Sequence, residues 1–202
     1  SIRTAITLII MKKVILMAVL MLSSVATFAQ HAVGSWTVQP KIGMNFATLT
    51  KADDSESRIG LAVGAELEYQ MTDIFSISGG LLYSQQGCEW SEDGRTETMK
   101  LDYINIPILA NVYVVKNLAV KVGIQPAFNV NSKAKASQGD ASSEAGLDAA
   151  KTFDFSIPIG LSYEYKNFVL DGRYNFGVTK TLDTADCKNS VFQLTLGYKF
   201  DL

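Results

Sequence analysis

The chain has 202 residues, with 18 Lys and Arg against 20 Asp and Glu, and a formal net charge of −2. This length allows one domain, and the absence of a basic cluster removes the electrostatic case for nucleic acid. Beyond residue 30 no apolar run approaches the roughly 20 residues of a membrane-crossing helix. One histidine, His31, and two cysteines, Cys88 and Cys187, leave no His/Cys cluster for a metal, and no cofactor is expected.

The N-terminus reads as a processing signal. Met11, Lys12 and Lys13 form a basic start, residues 14–22 are apolar, and residues 23–29 are small, with Thr27 and Ala29 at positions −3 and −1 of a cut before Gln30. Residues 1–29 are therefore expected to be an upstream extension plus a cleaved secretory signal, and residues 30–202 the mature domain. An uncleaved anchor helix competes, but Lys12 and Lys13 split its apolar length.

From there, alternation of period two recurs eight times, which predicts strands with one greasy and one wet face. The first, 36–47, sets Trp36, Val38, Ile42, Met44 and Phe46 against Thr37, Gln39, Lys41, Gly43 and Asn45. The second, 58–70, sets Ile59, Leu61, Val63, Leu67 and Tyr69 against Gly60, Gly64, Glu66 and Glu68. The third, 75–87, and the fourth, 100–113, continue the pattern, the fourth less cleanly because Tyr103, Pro107 and Leu109 share a face with Asn105 and Asn111. The fifth, 118–131, opposes Val120, Val122 and Ile124 to Lys121, Gly123 and Gln125. The sixth, 153–165, is the clearest: Phe153, Phe155, Ile157, Ile159, Leu161, Tyr163 and Tyr165 alternate with polar, tiny or proline residues. The seventh, 168–179, and eighth, 190–200, place Asp171, Arg173, Gln193 and Lys199 on the wet side. Such runs exceed the usual strand of about 5–6 residues and fit tilted membrane-crossing strands.

The links alternate in length. Residues 71–74, 114–117 and 166–167 are short; 48–57, 88–99, 132–152 and 180–189 are long and polar. An up-and-down barrel with tight turns on one rim and large loops on the other requires this alternation. The segment 132–152, rich in Ser, Ala, Gly and Asp, is expected to be a mobile loop. The fold class is therefore all-β: an eight-stranded antiparallel up-and-down transmembrane β-barrel. A secreted barrel with its apolar face inward is the competitor. Glycines and charges sharing one face suit a narrow lumen, and aromatics gathered at the strand ends suit two interfacial belts. All four prolines, Pro40, Pro107, Pro126 and Pro158, fall inside proposed strands, where bulges near the rims or lumen polar groups could compensate.

The motif Tyr103-Ile104-Asn105-Ile106-Pro107-Ile108-Leu109, the later Phe155-Ser156-Ile157-Pro158-Ile159-Gly160 and the ending Leu196-Gly197-Tyr198-Lys199-Phe200 resemble the PorT-like outer-membrane β-barrel proteins. The resemblance covers the mature chain. It implies an eight-stranded barrel in a bacterial outer membrane and supplies no catalytic residue. A terminal aromatic is the usual signal to the barrel-insertion machinery, and here Asp201 and Leu202 follow Phe200.

For function, His31 lies outside every strand, so a Ser/His lipid-modifying enzyme lacks a placed base, and no catalytic, cofactor or metal residue is assigned. Asp53, Asp54 and Glu56, or Glu89, Glu92 and Asp93, read as solvated loop charge, with a hard cation as the alternative. Glu66, Glu68, Glu164 and Asp171 facing Lys121, Arg173 and Lys199 predict an ion-paired plug; a small channel or transporter is the alternative. Cys88 and Cys187 sit in long links of the same rim, where a disulfide across the mouth and two separate thiols are both open. The expected protein is a non-enzymatic outer-membrane monomer, N-terminus periplasmic. It would act through its extracellular loops in adhesion, partner docking or membrane integrity, with secretion-accessory work a narrower form. Its partners would be membrane lipid, the insertion machinery and an unidentified protein at the loops.

Overall fold

The computed structural model describes residues 31–50, 56–92, 95–138, 141–146, 151–181 and 187–202; the expected signal segment lies outside the described residues. Eleven strands form one antiparallel sheet: β1 Trp36–Leu49, β2 Glu56–Thr72, β3 Phe75–Glu92, β4 Arg95–Asn105, β5 Ile108–Val115, β6 Leu118–Gln138, β7 Ala141–Gly146, β8 Phe153–Tyr165, β9 Phe168–Gly177, β10 Asn189–Tyr198 and β11 Phe200–Asp201. β4 with β5, and β10 with β11, are each one crossing interrupted once, and β7 pairs with β6 outside the ring. Eight staves remain, in the order β1, β2, β3, β4/β5, β6, β8, β9, β10/β11. Pairing of β1 with β10, from Lys41↔Gly197 to Leu49↔Asn189, closes the ring.

The alternation maps onto the two sides of the wall. Along β8 the odd residues Ile157, Ile159, Leu161, Tyr163 and Tyr165 are exposed, while Asp154, Ser156, Ser162 and Glu164 are buried. Along β9, Phe168, Leu170, Tyr174 and Phe176 face out and Asp171 and Arg173 face in. The exposed set is greasy and the buried set polar, which inverts a soluble fold and suits hydrocarbon outside. Aromatic rings form two girdles. Trp36 meets Tyr69 at a tilt and Phe168 meets Tyr198 edge to face near the short turns; Phe46 meets Phe192 and Phe128 meets Phe153 near the long links. The eleven residues from Trp36 to Phe46, tilted, span about 25 Å, the height of a barrel's apolar band.

The prolines take neither expected remedy. Each sits at a gap in the ladder, away from the rims. β1 is paired at Val38↔Phe200 and again at Lys41↔Gly197, so the rungs at Gln39 and Pro40 are missing and the last stave divides into β10 and β11. Pro107 lies in the break between β4 and β5, and Pro126 stands across the same gap, with the Ile106 N–H donating to its carbonyl at 2.9 Å. Pairing of β6 with β8 lapses between Val122↔Ile159 and Gln125↔Ser156, at Pro158. The missing N–H costs a rung locally while the register on either side is unchanged.

Inward glycines have a sharper role than leaving room for charges. A Cβ on Gly64 would lie 2.1 Å from the Leu81 carbonyl oxygen, and one on Gly123 would lie 2.0 Å from that of Ile108. The tight curvature of an eight-stave wall presses neighbouring backbones into that space.

The expected loop at 132–152 is in part ordered sheet. β6 runs on to Gln138 and pairs with β7, from Lys133↔Gly146 to Gln138↔Ala141. Likewise 88–99 is a hairpin extension, paired from Cys88↔Met99 to Glu92↔Arg95. Above the bilayer both faces of a sheet meet water, so strand residues there need no face of large apolar side chains.

Ile159, exposed at the middle of β8, is the position at which lipid contact is tested. Ile159→Arg should cost about 2–4 kcal/mol of folding free energy in detergent or lipid, read as a lowered urea midpoint. A change within about 0.5 kcal/mol, the usual value for a solvated surface site, would mean that water covers this face.

Candidate functional site

Two regions carry the chemistry: the lumen and the rim on the long-link side. In the lumen, Arg173 on β9 is the hub. Its Nε donates to Asp171 Oδ1 at 2.8 Å, Nη2 lies 2.6 Å from Asp171 Oδ2, and Nη1 lies 2.9 Å from Glu66 Oε1. Lys121 on β6 reaches Asp171 Oδ2 at 2.9 Å, and Lys41 on β1 reaches Glu66 Oε2 at 2.8 Å. Arg173 and its partners are all almost fully buried. A planar guanidinium with two carboxylates in its fork is the strongest arrangement available for buried charge.

A second cluster lies nearer the short turns. Lys199 Nζ sits 2.9 Å from Glu68 Oε2 and 3.1 Å from Glu164 Oε2. The Tyr113 and Ser76 hydroxyls donate to Glu68 Oε1 at 2.6 and 2.5 Å.

All seven charges expected to form the plug are thus brought together. Lys41 completes the set, giving Lys41, Lys121, Arg173 and Lys199 against Glu66, Glu68, Glu164 and Asp171. The alternation of β1 puts Lys41 on the wet face, and that period-two position is enough to add it to the network. The balance of sign meets the requirement that buried charges be paired.

His31, outside every strand as its position implies, is held at the short-turn rim. Its Nε2 lies 3.1 Å from Glu164 Oε1 and its Nδ1 2.9 Å from Asp201 Oδ1. Only an imidazolium donates from both ring nitrogens, so the geometry is that of the charged form. The Glu164 hydrogen bond raises the His31 pKa above its ordinary 6.5 against the opposing effect of burial; Glu164's charge and the Asp201 bond also raise it, and Lys199 lowers it. Among the described residues its side-chain partners are the two carboxylates of Glu164 and Asp201 and no serine.

At the other rim the ring is lopsided. The outward apolar residues of β3 end near Tyr83, those of β6 at Val130, yet β3, β4 and β6 continue, joined by β7, about eight residues beyond. At about 3.3 Å per residue this is roughly 25 Å of four-stranded sheet. Thr98 on β4 donates to Glu89 on β3 at 3.0 Å, and Asn131 on β6 to Asp102 on β4 at 2.9 Å, so side chains tie the sheet across its rungs. Among the described elements β7 pairs with β6 alone. Beneath the sheet, Leu101, Tyr103 and Ala127 form an apolar cluster inside the mouth. Of the acidic groups weighed for a cation, Asp53, Asp54 and Asp93 lie outside the described residues.

The profile of the outer membrane protein beta-barrel domain matches residues 28–183. The chain belongs to that family. This outer-membrane barrel shares its fold with Ail, the attachment invasion locus protein of Yersinia pestis, crystallised with the heparin analogue sucrose octasulfate. The TM-score is 0.51 at 17% identity, covering 84% of this chain and 100% of Ail. Neisserial surface protein A is similar at a TM-score of 0.50 and 15% identity, covering 82% of this chain and 97% of that one. No curated protein matches the sequence. The barrel is a bacterial outer-membrane protein of all-β, eight-stave architecture.

Two outcomes follow, one for the lumen and one for the short-turn rim. Arg173→Leu should destabilise the barrel by about 3–5 kcal/mol, because Glu66 and Asp171 lose their shared partner while still buried; the check is the temperature at which the folded band disappears on electrophoresis. For His31, whose folded pKa is raised, the clamp contributes fully below about pH 6.5 and fades as pH rises through the folded value. The melting-temperature gap between wild type and His31→Ala should therefore be wide at low pH and close as the medium becomes alkaline. An equal gap throughout would show that His31 acts by packing alone.

Proposed function

We propose that this barrel is a non-enzymatic outer-membrane protein whose working part is the raised sheet of β3, β4, β6 and β7. In this reading the short turns and the mature N-terminus lie in the periplasm, after removal of the export signal, and the raised sheet stands outside the cell, the usual orientation of such barrels. The single observation carrying the reading is the contrast between the two regions. The lumen holds paired charges, whereas among the described residues the sheet extends past the apolar band on one side.

Adhesion or partner docking fits an ordered sheet standing clear of the membrane better than a loop that must be ordered on binding. The attachment role in Ail's name, and its capture of a polysulfated sugar, support the same use of the fold. The Ile-Pro strand motifs, through their likeness to PorT-like proteins, support a secretion-accessory partner as a narrower form. A lumen held by Arg173, Lys121 and Lys41 against Glu66 and Asp171 favours a plug over a conducting pore.

The test trims 86–101 and 131–149 to tight turns and compares full-length and trimmed barrels in vivo. Both should insert and keep heat-modifiable mobility, while in-situ cross-links to other envelope proteins, or attachment to a sulfated polysaccharide surface, should be lost from the trimmed form. Planar bilayers should show no steady current from the full-length protein. Steady single-channel steps would replace the docking reading with a transport one.

A further inference from the structure

The lipid-facing wall carries a hollow at the closing seam. Where β1 meets β10, a groove of about 400 Å³ opens on the outer side. Its floor is the backbone of the row Gly197–Lys41–Gly64, and outward side chains stand around it: Leu196, Ile42 and Val63 in the row above, Phe168 and Tyr198 below. The local sequence accounts for the hollow. Tyr198 and Pro40 flank the missing rung, and Pro40 pairs with Ala65, so two aromatic rings stand beside two short residues. The rings brace each other, Phe168 meeting Tyr198 edge to face at 5.0 Å between centroids.

The groove lies within the apolar band, since Pro40 stands on β1 between Trp36 and Phe46, members of opposite girdles. Hydrocarbon, not water, is what meets it there. Its lower end, at Phe168, adjoins a fixed cation. The turn Lys166–Asn167 joins β8 to β9, with Lys166 at a φ of 56°. Asn167 ties the turn to the neighbouring stave, its side chain donating to the Lys199 carbonyl at 3.0 Å and its carbonyl accepting the Lys199 N–H at 2.8 Å. Lys166 Nζ lies 5.7 Å from the centre of the Tyr165 ring, which is 62% exposed on the lipid side. The ammonium is therefore held on the outer face of the wall, at the level where headgroups lie, two residues before Phe168.

We propose that this groove is a binding site for one anionic phospholipid of the leaflet on the short-turn side. One acyl chain lies over Gly64 and Gly197 beside Tyr198, and the headgroup phosphate sits at Lys166. The volume falls in the range of about 300–1,000 Å³ usual for small-ligand sites, and its apolar walls suit a single chain. The cation at one end supplies the charge complement that an apolar hollow alone lacks. A lipid seated here covers the seam where its rungs are missing, so the exposed backbone beside Pro40 meets an ordered chain. The site belongs to the wall itself and depends neither on what the raised sheet binds nor on which rim faces the periplasm.

The barrel is purified from the outer membrane of an expression host, stripped of lipid in detergent and titrated with phosphatidylglycerol or phosphatidylcholine under native mass spectrometry. The first phosphatidylglycerol should bind at least about fivefold more tightly than the second. It should also bind about fivefold more tightly than the first phosphatidylcholine, the discrimination expected of one lysine beside an anionic headgroup. Val63→Trp and Ile42→Trp each fill the groove from the outer face and should abolish the privileged first step. Ile159→Trp, equally lipid-facing but on β8, should keep it. Lys166→Gln should keep the first step and lose the preference between headgroups. Equal stepwise binding by the wild type would overturn the proposal. So would a groove-filling variant that binds as the wild type does, or a Lys166→Gln barrel that still prefers phosphatidylglycerol. The wild-type titration decides even where a variant fails to insert.

Discussion

In hydrocarbon no water competes for a backbone N–H or C=O, so a sheet can cross only when its first and last strands find each other. The pairing of β1 with β10 is therefore the contact on which the rest depends. Once the ring is closed, the pleat assigns every side chain to lipid or lumen. Curvature decides which inward positions must be glycine, and the narrow bore decides that inward charges meet one another and no bulk water. The ion network of Arg173, Asp171, Glu66, Lys41 and Lys121 follows from the ring's radius as much as from the residues themselves.

Much of this was legible in the chain because the bilayer imposes a strict code. The stave from Phe153 to Tyr165 has the boundaries its alternation suggests, and its two faces are those expected. The lumen charges could be grouped for the same reason, with Lys41 the member omitted. Where the bilayer stops acting, the code stops too. Lys133, Ala134, Lys135 and Ala136 pair across strands in water, where neither face needs large apolar side chains, so their short Lys/Ala alternation among small polar residues is a weak strand signal. His31 was illegible for another reason: it lies in no repeating element, and its carboxylate partners are 133 and 170 residues away.

The prolines show how a closed ring tolerates a residue that sheets reject. Edge strands, the usual refuge, do not exist in a barrel. Here each proline deletes rungs from one ladder while the flanking rungs keep the register. Pro107 and Pro126 stand across the same gap, so one interruption accommodates two prolines. Pro158 opens a gap one stave further round, which confines three of the four defects to neighbouring staves.

Pro40 differs from the others because it interrupts the closing seam. Nine consecutive rungs from Lys41 to Leu49 hold one half of that seam, whereas two rungs at Thr37 and Val38, helped by the Leu202 N–H to the Trp36 carbonyl, hold the other. A cylinder zipped so unequally has a strong end and a weak end. Thermal breathing of the joint should therefore begin where the start of β1 meets β11, beneath the imidazole that bridges β8 and β11, and the far half should remain fastened.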